Sequence, residues 1–279
     1  MSGKKPKATR RRMISCFAQI VQEHISGWKI EQIASGEKVK TRKFSYCSQV
    51  YLLMLSQFLH LFSLNEIVDV SKIYAPELSR LRGITPANLN TFSNANRTRA
   101  PRVMQSFFWE VYDTFRRQDG GFVRGRHHGR LTRFNLRGIY AIDSSTTQLA
   151  YWCIDWAKHR QRKAAVKIHM VANVANRLPH FCVFGRAKDH DGKWRTMVFL
   201  ANNFEWAASI IAELYKARWE VELLFKELKQ TLQLQDFYGE NENAVAWQIW
   251  AALLTHLGGV ASGMPYLPGF EKMFLKSVG

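Results

Sequence analysis

Tyr215, Arg218, Glu222 and Lys229 recur at the spacing of one helix face. At about 100° per residue the four point within roughly 60° of one another, whereas Glu220 and Glu227 fall outside that sector. One carboxylate is thereby flanked by two cations and a phenol. A helix contributing to phosphodiester cleavage needs such a set: an acid to hold a cation and basic groups to hold phosphates. The same spacing also describes a solvated face laced with charge pairs four residues apart. The stripe therefore needs partners from elsewhere in the chain.

Asp143 is the first candidate partner. It ends a short apolar run, 138–142, and is followed by Ser144, Ser145, Thr146 and Thr147. A carboxylate at a strand end is lifted from the sheet toward solvent or a metal, although many strands end in Asp simply to begin a turn. Lys167 and His169 alternate in the run 165–174 and so share one strand face, which could contact phosphates near Asp143 or meet only water. Asp189 and Asp191, in K-D-H-D-G-K, read as a solvated turn, with metal ligation only as a weak substitute role.

The elements that must position these groups divide the chain into five parts. Residues 1–12 form a basic arm expected to be disordered when free. Residues 13–118 predict a helical N-terminal domain of DNA-binding type: 45–62 carries apolar residues at helical intervals, Ser63 can cap a helix through Val70, and Thr85 with Pro86 opens a further turn. Asp119, Gly120 and Gly121 break the pattern. The linker 119–137 then brings Arg124, Arg126, Arg130, Arg133 and Arg137, a plausible phosphate-contacting run. From 138 to 262 the texture is α/β, with strands predicted at 138–142, 165–174, 181–184 and 197–200, a long helix over 206–230 and an apolar helix over 243–258. Residues 263–279 form a tail.

Composition narrows the partner. Forty Lys and Arg against 22 Asp and Glu leave a net charge of +18, which points to a polyanion and, most often, to nucleic acid. No apolar run approaches the length needed to span a bilayer, and no apolar segment or cleavage site follows the basic arm, so a cytoplasmic, bacterial-type protein is expected with no membrane partner. Cys16, Cys47, Cys153 and Cys182 lack metal-ligand spacing and read as small buried hydrophobes.

Taken together, a strand-borne Asp, a following K-x-H and a downstream Y-x-x-R-x-x-x-E-x-x-x-x-x-x-K resemble the DDE transposases of bacterial insertion sequences, in particular the insertion sequence 4 family. The match rests on Asp143 in A-I-D-S-S and on Tyr215, Arg218, Glu222 and Lys229. It extends to K-F-S-Y-C-S-Q at 43–49, N-T-F-S-N-A-N-R at 90–97, W-A-K-H-R at 156–160 and F-L-A-N-N-F at 199–204. The resemblance implies an RNase H-like mixed-sheet core in which three carboxylates hold two divalent ions, Mg2+ or Mn2+, to cut and join DNA strands at transposon ends. Asp143 and Glu222 would be catalytic metal ligands. Arg218, Lys229, Lys226, Lys167, His169 and the linker arginines would hold phosphates, and Tyr215 would sit near the transposon end. Double-stranded DNA is the implied partner, with a homo-oligomer or a mixed oligomer with intact transposase.

The family's second aspartate, carried in a motif such as F-D-K-A-Y, has no counterpart. Asp143 and Glu222 stand 79 positions apart, hardly more than the about 75 residues that a bare core of five strands, two helices and connections needs. Residues 185–199 offer neither a helical period nor a strand ending in Asp. An internally deleted, truncated core follows, with two of three acids and an incomplete metal cage, so catalytic competence is not assured. The alternative function is a non-catalytic remnant that binds ends or inhibits an intact transposase. Loss of a core strand also predicts exposed sheet edges and apolar faces.

Overall fold

Helix starts in the N-terminal half are set by side-chain caps. The Ser45 hydroxyl accepts from the Ser48 N–H and the Ser63 hydroxyl from the Glu66 N–H, while the Glu66 carboxylate accepts from the Phe62 N–H. Donors that a helix start leaves open are thus satisfied locally. The computed structural model describes residues 17–22, 25–37, 41, 43–118, 140–149, 153–160, 163–173, 178–186, 218–230 and 237–262. A helical stretch over 17–22 (α1) precedes Gly27–Ala34 (α2), Tyr46–Leu59 (α3), Leu64–Ile73 (α4), Ala75–Arg82 (α5), Leu89–Thr98 (α6) and Arg102–Gln118 (α7). There follow Tyr140–Leu149 (β1), Ile154–Ala157 (α8), Lys158–Arg160 (β2), Lys163–Asn173 (β3), Pro179–Arg186 (β4), Trp219–Gln230 (α9) and Glu242–Ala261 (α10). Thr85 and Pro86 lie outside any helix or strand, and α6 begins after Asn88. The basic arm, the linker 119–137, the strand expected at 197–200 and the tail lie outside the described residues.

The chain divides into two compact units, residues 1–118 with 227–279 and residues 119–226. The last turn of α9 and all of α10 thus group with the N-terminal helices, although the sequence pattern places them in the segment 138–262. The physical reason is the character of α10: it is buried continuously from Ala244 to Gly259 and needs cover on every side, which α3, α6 and α7 supply. α3 is buried along its whole length. By length and mean hydropathy α10 could cross a bilayer, contrary to the expectation that every apolar stretch is too short; 89% of that window is buried inside the protein, as in a core helix. Gly258 lets α1 approach α10, since a Cβ there would meet the Ile20 Cγ2 at 2.8 Å.

Arg99, just after α6, ties this unit together. The residue is 5% exposed, and its guanidinium donates to the Phe44 carbonyl, the Ser45 carbonyl at 3.0 Å and the Gln49 Oε1 at 2.8 Å, while lying 4.4 Å from the Tyr46 ring centroid. The Gln49 amide donates to Asn96 at 2.8 Å, and the Trp247 Nε1 donates to the Arg99 carbonyl at 3.1 Å. Burial pulls the Arg99 pKa down, opposed by the nearby Tyr46 and Glu31.

In the second unit β3 is the central strand. β1 pairs antiparallel along it from Tyr140 opposite Asn173 to Leu149 opposite Ala164, and β4 and β2 also pair with β3 antiparallel. The parallel pairing of a mixed sheet is absent among the described residues. β1 does not end at Asp143. It continues through Leu149 because the β-branched Thr146 and Thr147 pair across the sheet, so the local turn signal of the hydroxyl run is overridden.

Two outcomes follow from this packing. Arg99→Met should cost about 3 kcal/mol, because three acceptors, two of them buried, lose this donor, and urea unfolding followed by tryptophan fluorescence checks it. Burial raises the Cys182 thiol to about 12, so it stays protonated at pH 8.5. Mass spectrometry after iodoacetamide treatment should find Cys182 unmodified in the native protein and alkylated in urea.

Candidate active site

Alternation along β1 decides what Asp143 meets. Ala141, Asp143 and Thr147 share one face, on which Ala141 and Thr147 are buried, while Tyr140 and Ile142 on the other are exposed. Helix α9 presents Val221, Leu224, Phe225 and Leu228 as a buried stripe at helical intervals. That stripe fixes the helix rotation and leaves Arg218, directly before α9, and Glu222, one turn later, on a partly open side.

Arg218 joins the two acids. Its Nη1 lies 3.2 Å from the Asp143 Oδ2, and its Nη2 donates to the Glu222 Oε1 at 2.5 Å. The three side chains are 25%, 23% and 36% exposed in the order Arg218, Asp143, Glu222. Solvent therefore screens the triad in part, and each pair is worth less than a fully buried one. Two carboxylates from distant parts of the chain are held at one planar cation, whose several N–H groups suit two acceptors at once.

The other expected groups are placed differently. Lys167 pairs with Thr146 and His169 with Ser144, so both lie on the sheet face opposite Asp143. This register separates them from Asp143. Lys226 is exposed one turn beyond Glu222. Lys229 is half-buried, and desolvation lowers its pKa. Arg218, expected on phosphate, is instead engaged by both acids. The i,i+4 spacing from Arg218 to Glu222 signalled half of that arrangement. Tyr215, Asp189, Asp191, Arg124, Arg126, Arg130 and Arg133 lie outside the described residues.

Hard carboxylate oxygens suit Mg2+ or Mn2+. As arranged, however, a guanidinium stands where an ion would have to meet both acids, and no group of three or more His, Cys, Asp or Glu side chains assembles among the described residues. The pair does not fit a metal cage in this arrangement.

Residues 192–257 match the family model described as the transposase DDE domain. Over that segment the chain is similar to transposase DDE sequence. The match includes Tyr215, Arg218, Glu222, Lys226, Lys229 and most of α10, and it begins after Asp143. The chain is 44% identical over 61 residues to "Putative transposase y4zB" of Sinorhizobium fredii, covering 22% of this chain and 17% of that protein. It is 47% identical over 47 residues to "Putative transposase for insertion sequence element IS4SA" of Synechocystis, covering 17% and 14%. Over 67 residues it is 36% identical to "Probable transposase for insertion sequence element IS5377" of Geobacillus stearothermophilus, covering 24% and 18%. The alignments thus span less than a fifth of the length of these relatives. No solved structure matches the chain.

Removing the shared cation should expose the pairing. Arg218→Gln leaves Asp143 and Glu222 without it and should cost about 1–2 kcal/mol. Millimolar MgCl2 should then raise the melting temperature of the variant more than that of the wild type, read by differential scanning fluorimetry.

Proposed function

We propose that this chain is an insertion-sequence transposase of the insertion sequence 4 family, acting on double-stranded DNA at transposon ends and built on an internally shortened RNase H-like core. The observation that carries the proposal is the convergence of Asp143 and Glu222 at Arg218, with Glu222 and Arg218 inside the segment that matches transposase sequence. Supporting it are the net charge of +18 and the exposed Lys226 beside the acids on α9. The segments that relatives align to are short, so the strand-cutting activity is part of the proposal.

In this reading Asp143 and Glu222 are the surviving acids of the cleavage site. Lys226, Lys229 and the linker arginines hold phosphates, and Tyr215 lies near the DNA end. A divalent ion, Mg2+ or Mn2+, would supply Lewis-acid chemistry, and no step is assigned to it because Arg218 fills the space between the acids. That same observation favours a second reading: a chain that binds ends without cutting and competes with, or joins, an intact transposase.

Incubation of the purified protein with a supercoiled plasmid carrying the element's ends, in Mg2+ or Mn2+, separates the two. Strand nicking that falls at least about 100-fold in Glu222→Gln is the expected result for the transposase. End-dependent binding with no nicking in either metal assigns the binding role instead.

A further inference from the structure

Helix α6 is built from residues that weaken helices. Six of the ten residues of L-N-T-F-S-N-A-N-R-T are Asn, Ser or Thr, each roughly 0.5 kcal/mol worse than Ala in a helix interior. Their side chains compete for nearby backbone groups, and only tertiary contacts can hold such a sequence helical. Those contacts are present. Phe92, Ala95 and Asn96 are buried, the Gln49 amide donates to Asn96 at 2.8 Å, and α6 packs on α4 and α10. At the C-terminal end the Asn243 amide donates to the Arg97 carbonyl at 2.8 Å, and Arg99 is locked in its buried network. A locally unfavourable sequence maintained on a rigid support marks a surface selected for something other than stability.

The outward face shows what that is. Asn90, Thr91, Ser93, Asn94, Arg97 and Thr98 are all exposed, and none is acidic. They border an open groove of about 880 Å³ to which Lys43 and Thr41 also contribute, again with no carboxylate in the lining among the described residues. The Arg97 guanidinium donates to the Asn94 Oδ1 at 3.1 Å, so these two side chains stand together one turn apart. Asn offers a paired donor and acceptor that matches the N6 and N7 of adenine, and Arg matches the O6 and N7 of guanine. The short hydroxyl residues between them let the helix approach closely. A helix about 10–12 Å across fits a major groove about 12 Å wide. A merely solvated face would favour Glu, Lys and Gln, which combine solubility with helix propensity.

We propose that the exposed face of α6 reads base edges in the major groove of double-stranded DNA, with Asn94 and Arg97 as the specificity residues and Lys43 holding phosphate at the groove's other wall. The proposal rests on the reading of the chain as one that acts on DNA, but it assigns sequence choice to the helical unit, away from the acids.

The test uses the full chain and a pool of 20-base-pair duplexes with randomised centres. Bound duplexes are recovered, sequenced and re-measured by fluorescence anisotropy. The wild type is expected to enrich a motif. Asn94→Ala, Arg97→Ala and the independent Asn90→Ala are each expected to relax the preference at one or two positions. Affinity for the enriched duplex should fall about 10-fold or more, and affinity for an unrelated duplex less than about threefold. Circular dichroism confirms that the variants stay folded. The proposal is overturned if the wild type enriches no motif or if the variants keep its preference. It is also overturned if Arg97→Ala weakens all duplexes equally with a salt slope smaller by about one, since that marks a phosphate contact. Absence of nicking with motif selection intact would sink the catalytic reading and leave this one standing.

Discussion

The helical unit depends on one buried cation without a carboxylate partner in contact among the described residues. Arg99 exchanges its hydration for the Phe44 and Ser45 carbonyls, the Gln49 side chain and the face of Tyr46. A guanidinium can accept such surroundings because its charge is spread over a plane and is weakly hydrated; an ammonium would lose more. The location works against it, because the start of α3 is the positive end of a helix dipole. Glu31 offsets this by accepting from the Cys47 N–H at 2.7 Å, placing a negative charge at that end. Four segments, the approach to α3, α3 itself, α6 and α10, are thereby fastened by one side chain and its carbonyl.

Arg218 in the second unit makes the opposite bargain. It keeps about a quarter of its surface in solvent and takes two acids rather than carbonyls. Two carboxylates brought together repel one another. The guanidinium offsets that repulsion where Asp143 and Glu222 converge. An arginine in this position holds the acids together and simultaneously closes the space that metal-dependent chemistry would use.

Local chemistry was legible in the sequence and non-local pairing was not. The cap at Ser63 depends on three or four consecutive residues, and it stands where the sequence places it. The alternation of Lys167 and His169 was equally plain, but which face they occupy depends on register with β1, and a one-residue slip inverts every side chain. The hydroxyl run after Asp143 reads as a turn until β3 is there to pair with it. The apolar character of α10 announced burial but not its neighbours, since a helix that is apolar all round carries no direction. The i,i+4 relation of Arg218 to Glu222 was visible, whereas its contact with Asp143 spans the whole sheet segment.

The sheet carries a further mark of the proposed shortening. On the face opposite Asp143, Ile142 is 73% exposed, Phe181 54% and Val183 47%, and Ile142 and Phe181 both pair with Val171 in register. Apolar side chains aligned across three strands form the kind of face that folded domains cover. Their sequence pattern suits a sheet with something packed on both sides, which agrees with strands drawn from a larger α/β core. β1 also has a partner on one side only among the described residues, leaving its outer edge able to accept another strand. The helical unit has no comparable exposed face on α3 or α10, where burial is nearly complete. The open apolar face of the sheet thus contrasts with the closed core around Arg99.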